Sequence, residues 1–164
     1  MTAYATPETY LPHRAPMCVL TRVAHIDDAS VTCETETTAD GVLKTHWRQD
    51  GELPEAFVLE IMAQTVGVWA RYARYHGDLT PVPEGDAEAE IGLLLSVRSI
   101  QIDRVVKQGD PLLQCTMHKL MIDGQLAVFE GELTSGGEHV ASGRLTVYQP
   151  LESEVAALFG ENGL

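Results

Sequence analysis

The sequence predicts an α+β domain in which a curved, largely antiparallel sheet wraps around one long helix. Three observations indicate this: a 20-residue apolar segment with helix signals, about six strand-like runs around it, and turn dipeptides between the last runs. A helix that is apolar on most sides has to be covered, and a sheet wrapped around it does so. The 164 residues suit one domain, residues 1–164, with a core over about 10–149 and a tail over 150–164.

The predicted central helix is Ala56–Tyr75, AFVLEIMAQTVGVWARYARY. Pro54 precedes it, where a missing N–H costs nothing. Arg71 and Arg74 fall in its last turns, where they complement the helix dipole, and Gly77 is the expected stop. Apolar residues on nearly all sides predict that this helix is buried.

The strand-like runs lie before and after this helix in the sequence, and residues typical of turns separate some of them. Asp123-Gly124 is a hairpin signal between two of them, and the polar, proline-containing stretch His76–Glu90 is predicted to be a loop. Because a single sheet has exposed edges, we expect two such sheets to join edge to edge in a dimer. The predicted strands are Met17–Ile26, Ser30–Thr38, Gly92–Ile102, Leu112–Ile122, Gln125–Thr134 and His139–Tyr148, with Val42–Trp47 as a possible short strand.

The composition excludes several classes of function. With 24 acidic and 11 basic residues the net charge is −13, which disfavours binding to nucleic acid and to anionic membranes. The sequence has no apolar run of about 18 residues, no signal-peptide pattern and three dispersed cysteines, which favours a cytoplasmic protein with reduced thiols. The histidines and cysteines lack metal-ligand spacing and no phosphate loop is present, so we expect no metal and no cofactor.

Glu60 is the exceptional residue of the predicted helix, because a charge among apolar side chains is costly. A carboxyl group buried there would stay protonated at neutral pH and could act as a general acid. Gln64 follows one turn later on the same face and could orient it. On the helix alone, a glutamate that fills a polar gap in the core is an equally good interpretation.

His46 lies fourteen positions before Glu60, in a polar loop that leads into the helix. A neutral imidazole near a protonated carboxyl group forms a base and acid pair, whereas an isolated loop histidine is usually a surface residue. The backbone N–H groups of Glu55 and Ala56 at the helix start could hold a developing oxyanion.

Several motifs together resemble the 3-hydroxyacyl-[acyl-carrier-protein] dehydratases of bacterial fatty acid synthesis. The resemblance is closer still to the dehydratase-like proteins of aryl polyene biosynthetic clusters, and it runs from Tyr10 to about Gln149. The segments that carry it are YLPHRAPMCVLTRV (Tyr10–Val23), LPEAFVLEIMAQTVG (Leu53–Gly67), GLLLSVR (Gly92–Arg98), RVVKQGDPL (Arg104–Leu112) and TVYQP (Thr146–Pro150).

This resemblance implies a hotdog fold and a dimer with active sites at the subunit interface. It implies a catalytic histidine and acid at His46 and Glu60, with His13 of the LPHR motif as the second-choice histidine. The family usually has glycine where this chain has Glu55, so the oxyanion site departs from the pattern. An apolar tunnel for the acyl chain would include Leu93 and Leu94.

The leading hypothesis is therefore dehydration of 3-hydroxyacyl thioesters on an acyl carrier protein to trans-2-enoyl thioesters, in fatty acid or aryl polyene-type biosynthesis. A non-catalytic hotdog partner in a hetero-oligomeric dehydratase and a hotdog thioesterase are the alternatives. Carrier proteins are usually acidic, so docking to this acidic chain needs a local basic patch. Candidates for that patch are Arg14, Arg22, Arg71, Arg74, Arg98, Arg104 and Lys107.

Overall fold

The computed structural model describes residues 4–75, 92–150 and 152–159, so the predicted loop His76–Glu90 lies outside the described residues. The elements are α1 (Pro7–Tyr10), β1 (Arg22–Ile26), β2 (Ser30–Thr35), α2 (Ala56–Tyr75), β3 (Leu93–Ile102), β4 (Leu113–Asp123), β5 (Leu126–Ser135), β6 (Glu138–Tyr148) and α3 (Glu152–Phe159). The six described strands form one antiparallel sheet in the order β1-β2-β4-β5-β6-β3.

The long helix α2 packs across the middle of the sheet. Its main contacts are with β2, β4 and β5, and its buried residues Ile61, Met62 and Val66 join a core that includes Met117 and Phe129 of the sheet. Strands β6 and β3 follow β5 in the sheet and lie beyond the strands that make the main contacts with α2. The sheet therefore continues past the helix on this side. This arrangement confirms the predicted α+β hotdog fold. None of the described helices is long and apolar enough to cross a membrane.

The helix prediction and the predicted hairpin turn at Asp123-Gly124 are confirmed. Helix α2 has the predicted bounds, and the hairpin between β4 and β5 turns at Gly124, whose φ of 58° is a conformation that glycine adopts without strain. Gly136 and Gly137, with φ of 57° and 82°, make the turn before β6. The tail beyond residue 150 contains the short helix α3.

Three strand predictions were wrong in part or in full. The first strand begins at Arg22 and not at Met17, because the Met17 N–H bonds Arg14 O and the Val19 N–H bonds Gln64 Oε1 in place of a neighbouring strand. The second strand ends at Thr35 and not at Thr38. The segment Val42–Trp47 forms consecutive turns, with hydrogen bonds from the Lys44 N–H to Gly41 O and from the His46 N–H to Leu43 O. These bonds between residues three apart satisfy the backbone locally, so the segment has no need of a partner strand.

Candidate active site

A cavity of about 1090 Å³ lies between α2 and the inner face of strands β5, β6 and β3. We call it the trough. The N-terminal segment Tyr10–His13 lines it together with one face of α2, and Glu60 is part of that face. Most of the other lining side chains are apolar, which suits an extended hydrocarbon ligand.

Glu60 is more open to solvent than the sequence predicted. Its side chain is 35% exposed, whereas its neighbours Ile61 and Met62 are 1% and 0% exposed. The reason is the helix geometry: those neighbours point between α2 and the sheet, while Glu60 projects into the trough. The expected full burial of this carboxyl group is therefore corrected, and a substrate in the trough could reach it.

Gln64 orients Glu60, as the spacing of one helical turn predicted. The Gln64 Nε2 group donates hydrogen bonds to Glu60 Oε1 (2.7 Å) and to Met17 O (2.8 Å), and its Oε1 accepts one from the Val19 N–H (3.0 Å). A backbone N–H only donates and a carbonyl only accepts, so the orientation of the amide is fixed. Gln64 itself is 2% exposed, so α2 and the segment Met17–Val19 hold it rigidly.

His13 is the imidazole that the structure brings to Glu60 within one chain. Its Nε2 lies 3.8 Å from Glu60 Oε1. Burial lowers the pKa of His13 below its usual 6.5, and the nearby Glu60 carboxylate opposes this shift only in part. His13 is therefore neutral at pH 7, when it can accept a proton. Arg14 holds this turn by donating from Nη1 to Leu11 O and His13 O.

His46 lies at the start of α2, beside the same N-terminal segment. Its Nε2 is 2.7 Å from Pro16 O, and its ring stacks on Phe57 at 4.3 Å between centroids. Because a carbonyl oxygen only accepts, Nε2 carries the hydrogen in the neutral ring and Nδ1 keeps its lone pair. Among the described residues of this single chain, His46 makes no hydrogen bond or ion pair with Glu60.

The predicted substrate-binding residues divide into two groups. Leu93 and Leu94 of β3 line the trough. Glu55 and Ala56 are exposed at the start of α2 and lie outside its described lining. Their proposed role in holding an oxyanion stays a prediction.

Two other histidines considered as possible ligands have hydrogen-bond partners outside the trough. His25 bonds Asp27 at 2.9 Å, and His139 bonds Asp103 at 2.5 Å on the surface of the sheet. Within residues 4–75, 92–150 and 152–159, no group of three or more possible ligands could hold a metal ion. Sequence reasoning missed one feature of the trough. It interpreted Arg71 as a partner of the helix dipole and as a candidate for the docking patch, whereas this arginine lines the cavity wall.

Comparisons with known proteins agree with this fold and show the family of the chain. The family model ApeP-like, described as ApeP dehydratase, matches residues 5–159. A chain in the solved structure of the dehydratase heterocomplex ApeI:P from Xenorhabdus doucetiae is 34% identical to this one. That match covers 96% of this chain and 99% of that chain, with a TM-score of 0.81. The 3-hydroxyacyl-[acyl-carrier-protein] dehydratase FabZ of Streptococcus sanguinis is 26% identical over 137 residues, 83% of this chain and 89% of that protein.

A more distant structure shows the fold alone. The PaaI protein of the phenylacetic acid degradation operon of E. coli is 12% identical, with a TM-score of 0.56 over 77% of this chain and 81% of that chain. The family model, by contrast, spans nearly the whole chain and includes both candidate histidines and Glu60. The chain thus belongs to the ApeP-like family of dehydratases.

Proposed function

We propose that this protein removes water from 3-hydroxyacyl thioesters carried on an acyl carrier protein and so forms trans-2-enoyl thioesters. The observation that carries the proposal is the carboxyl group of Glu60, oriented by Gln64 and open to an apolar trough, with an imidazole beside it. The family of the chain and the names of its relatives support the same reaction.

Glu60 is the proposed general acid. Its Oε1 accepts a hydrogen bond from the Gln64 amide, so we assign the proton that the reaction requires to the other carboxyl oxygen. The proton passes to the hydroxyl group at C3, the C3–O bond breaks, and water leaves. A base removes a proton from C2, and the electron pair of that C–H bond forms the C2=C3 double bond as the C3–O bond breaks.

His46 is the proposed base, and His13 is its alternative. The lone pair on Nδ1 of His46 is available because Nε2 is turned to Pro16 O. In the proposed dimer, His46 of one subunit meets Glu60 of the other, as the resemblance implies. The alternative is that His13 of the same chain, at 3.8 Å from Glu60, takes the C2 proton.

The carrier protein is proposed to dock beside the two histidines. Of the basic residues considered for this patch, Arg22 pairs with Glu34 and Arg104 pairs with Asp110, while Arg71 is 6% exposed. Arg14 next to His13, together with the exposed Lys44 and Arg48 on either side of His46, lies nearer to the two histidines and is the proposed patch for an acidic partner. Arg48 also forms an exposed ion pair with Asp50 at 3.6 Å.

A second candidate function follows from the oligomer. The solved relative is a heterocomplex of two proteins, ApeI and ApeP. We propose that this chain also pairs with a second hotdog subunit, either to complete its own site or to support the partner's site. The test is to combine the purified chain, if it is inactive alone, with such a partner. If activity then appears, and is lost again when this chain carries Glu60→Gln, the reaction takes place in this chain.

The experiment is an assay of the purified chain with a 3-hydroxyacyl carrier protein, alone and with a co-expressed hotdog partner, followed by mass spectrometry of the acyl group. We expect a loss of 18 mass units from the acyl group, corresponding to one water. The Glu60→Gln variant keeps the hydrogen bond to Gln64 and should lose turnover by several orders of magnitude. Release of a free 3-hydroxy acid would instead indicate a thioesterase, and unchanged acyl carrier protein under both conditions would refute dehydration.

A further inference from the structure

The short helix α3 contributes to the wall of the trough. Pro150, which precedes α3, and Ser153, in its first turn, are both among the lining residues. Tyr148, the last residue of β6, lines the trough beside them. The end of the described chain is therefore part of the candidate site.

Hydrogen bonds on both sides of Pro150 fasten α3 to the sheet. The Tyr148 hydroxyl group donates to Glu154 Oε2 at 2.6 Å, and a hydrogen bond to a carboxylate is stronger than one between neutral groups. The Gln149 N–H donates to Gln125 O at 3.0 Å, which ties the connection from β6 to α3 to the β4–β5 hairpin. These bonds give α3 a defined position at the trough.

The contacts of α2 with the sheet show which end of the trough α3 borders. Thr65 of α2 contacts Cys115 of β4. Four residues further along each element, the Lys119 Nζ group lies 5.2 Å from the centroid of the Trp69 ring. Helix α2 and strand β4 therefore run in the same direction, and the C-terminal half of α2 lies toward the β4–β5 hairpin. Tyr148 is at that end of the sheet as well, because it pairs with the first residue of β5.

The distance from the candidate acid to α3 follows from these positions. Nine residues of α2 separate Glu60 from Trp69, which gives roughly 13 Å along the helix axis. The Trp69 ring packs against Phe129, and Tyr148 lies three ladder positions nearer the hairpin, which adds roughly 10 Å. An extended chain that starts at Glu60 therefore reaches α3 after roughly 20–25 Å.

We propose that α3 is the end wall of the trough and limits the length of the acyl chain that the protein accepts. This inference rests on the proposed function, because it takes the reacting C2–C3 bond to lie at Glu60. Ser153 marks the position of the wall, and the hydrogen bond from Tyr148 to Glu154 holds α3 there. The preferred substrates are acyl chains that end within about 20–25 Å of Glu60, since a longer chain has to displace α3 and break that bond.

The test measures binding and needs no turnover. Unreactive acyl-pantetheine amides with a methyl end, whose acyl chains span about 10 to 35 Å, are titrated into the protein and followed by calorimetry. Each buried methylene group should tighten binding by up to about fourfold until the chain reaches α3. Beyond that length the affinity of the wild-type protein should stop rising or fall. An affinity that keeps rising over the whole series would overturn the proposal without any variant.

Two variants should move this length limit in opposite directions. Ser153→Phe fills the end of the trough and should lower the limit, whereas Ala156→Phe, on the exposed surface of α3 and outside the described lining, should leave it unchanged. Tyr148→Phe removes the hydroxyl group that holds α3 and should raise the limit. Tyr4→Phe is its matched control, because the Tyr4 hydroxyl group bonds Ile26 O at 3.3 Å instead.

Ser153→Leu serves as a second variant if Ser153→Phe does not fold. An unchanged length limit in a folded Ser153 variant, or in Tyr148→Phe, would overturn the proposal. These outcomes are independent of the proposed reaction, because failure of dehydration appears only in the turnover assay.

Discussion

Gln64 and Glu60 form a hydrogen-bonded pair one turn apart on α2, and the same glutamine binds the backbone on both sides of Cys18. The pair therefore couples the position of the carboxyl group to the N-terminal segment that contributes His13 to the trough. A change at Gln64 should alter both the stability of the fold and the alignment of the acid.

Replacing Gln64 with Leu should destabilise the protein and impair catalysis together. The substitution leaves the buried Val19 N–H without a partner, at about 1–3 kcal/mol, and also removes the hydrogen bond to the part-buried Met17 O. Urea unfolding gives the stability, and turnover at saturating substrate gives the effect on the acid, which we expect to exceed tenfold. If kcat of the folded fraction stays at the wild-type value, Gln64 does not orient Glu60.

The identity of the base can be decided by mixing inactive subunits. If His46 and Glu60 act across a dimer interface, co-expressed His46→Gln and Glu60→Gln chains restore one intact site per mixed dimer. If His13 acts within its own chain, His13→Gln is inactive and the His13→Gln and Glu60→Gln mixture stays inactive. The readout is the specific activity of purified mixed dimers, compared with each variant alone.

The lowered pKa of His13 predicts a loss of stability on mild acidification. Below about pH 6.5 the unfolded chain binds a proton at this histidine before the folded chain does. The free energy of unfolding should therefore fall as the pH drops from 7 through the folded pKa of His13. Measurements above pH 5 avoid the titration of Asp27, whose pKa is about 2, and of Asp103, whose pKa is also lowered.

This pH effect has a direct control. His13→Asn should flatten the pH dependence of the urea midpoint between pH 7 and 5, whereas a substitution of the exposed His118 by Asn should change it less. A His13→Asn variant with the slope of the wild-type protein would show that His13 is not the residue responsible.

The fold could be predicted from local patterns because those patterns are strong. The apolar run and its flanking residues gave the bounds of α2, and the Asp123-Gly124 pair gave the β4–β5 hairpin. The turns of Val42–Trp47 could not be predicted, because short apolar segments satisfy strand and turn patterns alike, and local hydrogen bonds decided the outcome.

The site was harder to predict than the fold. The one-turn spacing of Glu60 and Gln64 predicted their contact, since both lie on one rigid helix. The approach of His13 to Glu60 depends on how a non-helical segment packs against that helix, which spacing does not encode. Arg71 shares a face with Glu60 by its eleven-residue separation, but only the cavity shows that this face borders open space.

The three cysteines should resist alkylation in the folded protein. Cys18, Cys33 and Cys115 are all buried, and burial raises the pKa of each thiol, that of Cys115 to about 12. Since the thiolate is the reactive form, iodoacetamide at pH 8 should label none of them until the protein is unfolded in urea. Rapid labelling of the native protein, located by peptide mass spectrometry, would contradict the packing described here.

Two glycines lie opposite each other on β5 and β6, and we expect replacement by alanine to destabilise the protein more at one position than at the other. Gly131 pairs with Gly143, but a Cβ at Gly131 would lie 2.0 Å from Thr116 O and 2.9 Å from Met117 Cα, both backbone atoms of the adjacent strand. A Cβ at Gly143 would instead meet the end of the Ile100 side chain at 2.2 Å, which can rotate away.

Gly131→Ala should therefore lower the free energy of unfolding by more than about 3 kcal/mol, and Gly143→Ala by about 1–3 kcal/mol. Urea unfolding of both variants beside the wild-type protein measures the difference, with circular dichroism to confirm that each retains its sheet. Equal losses would mean that β4 shifts as easily as the Ile100 side chain rotates.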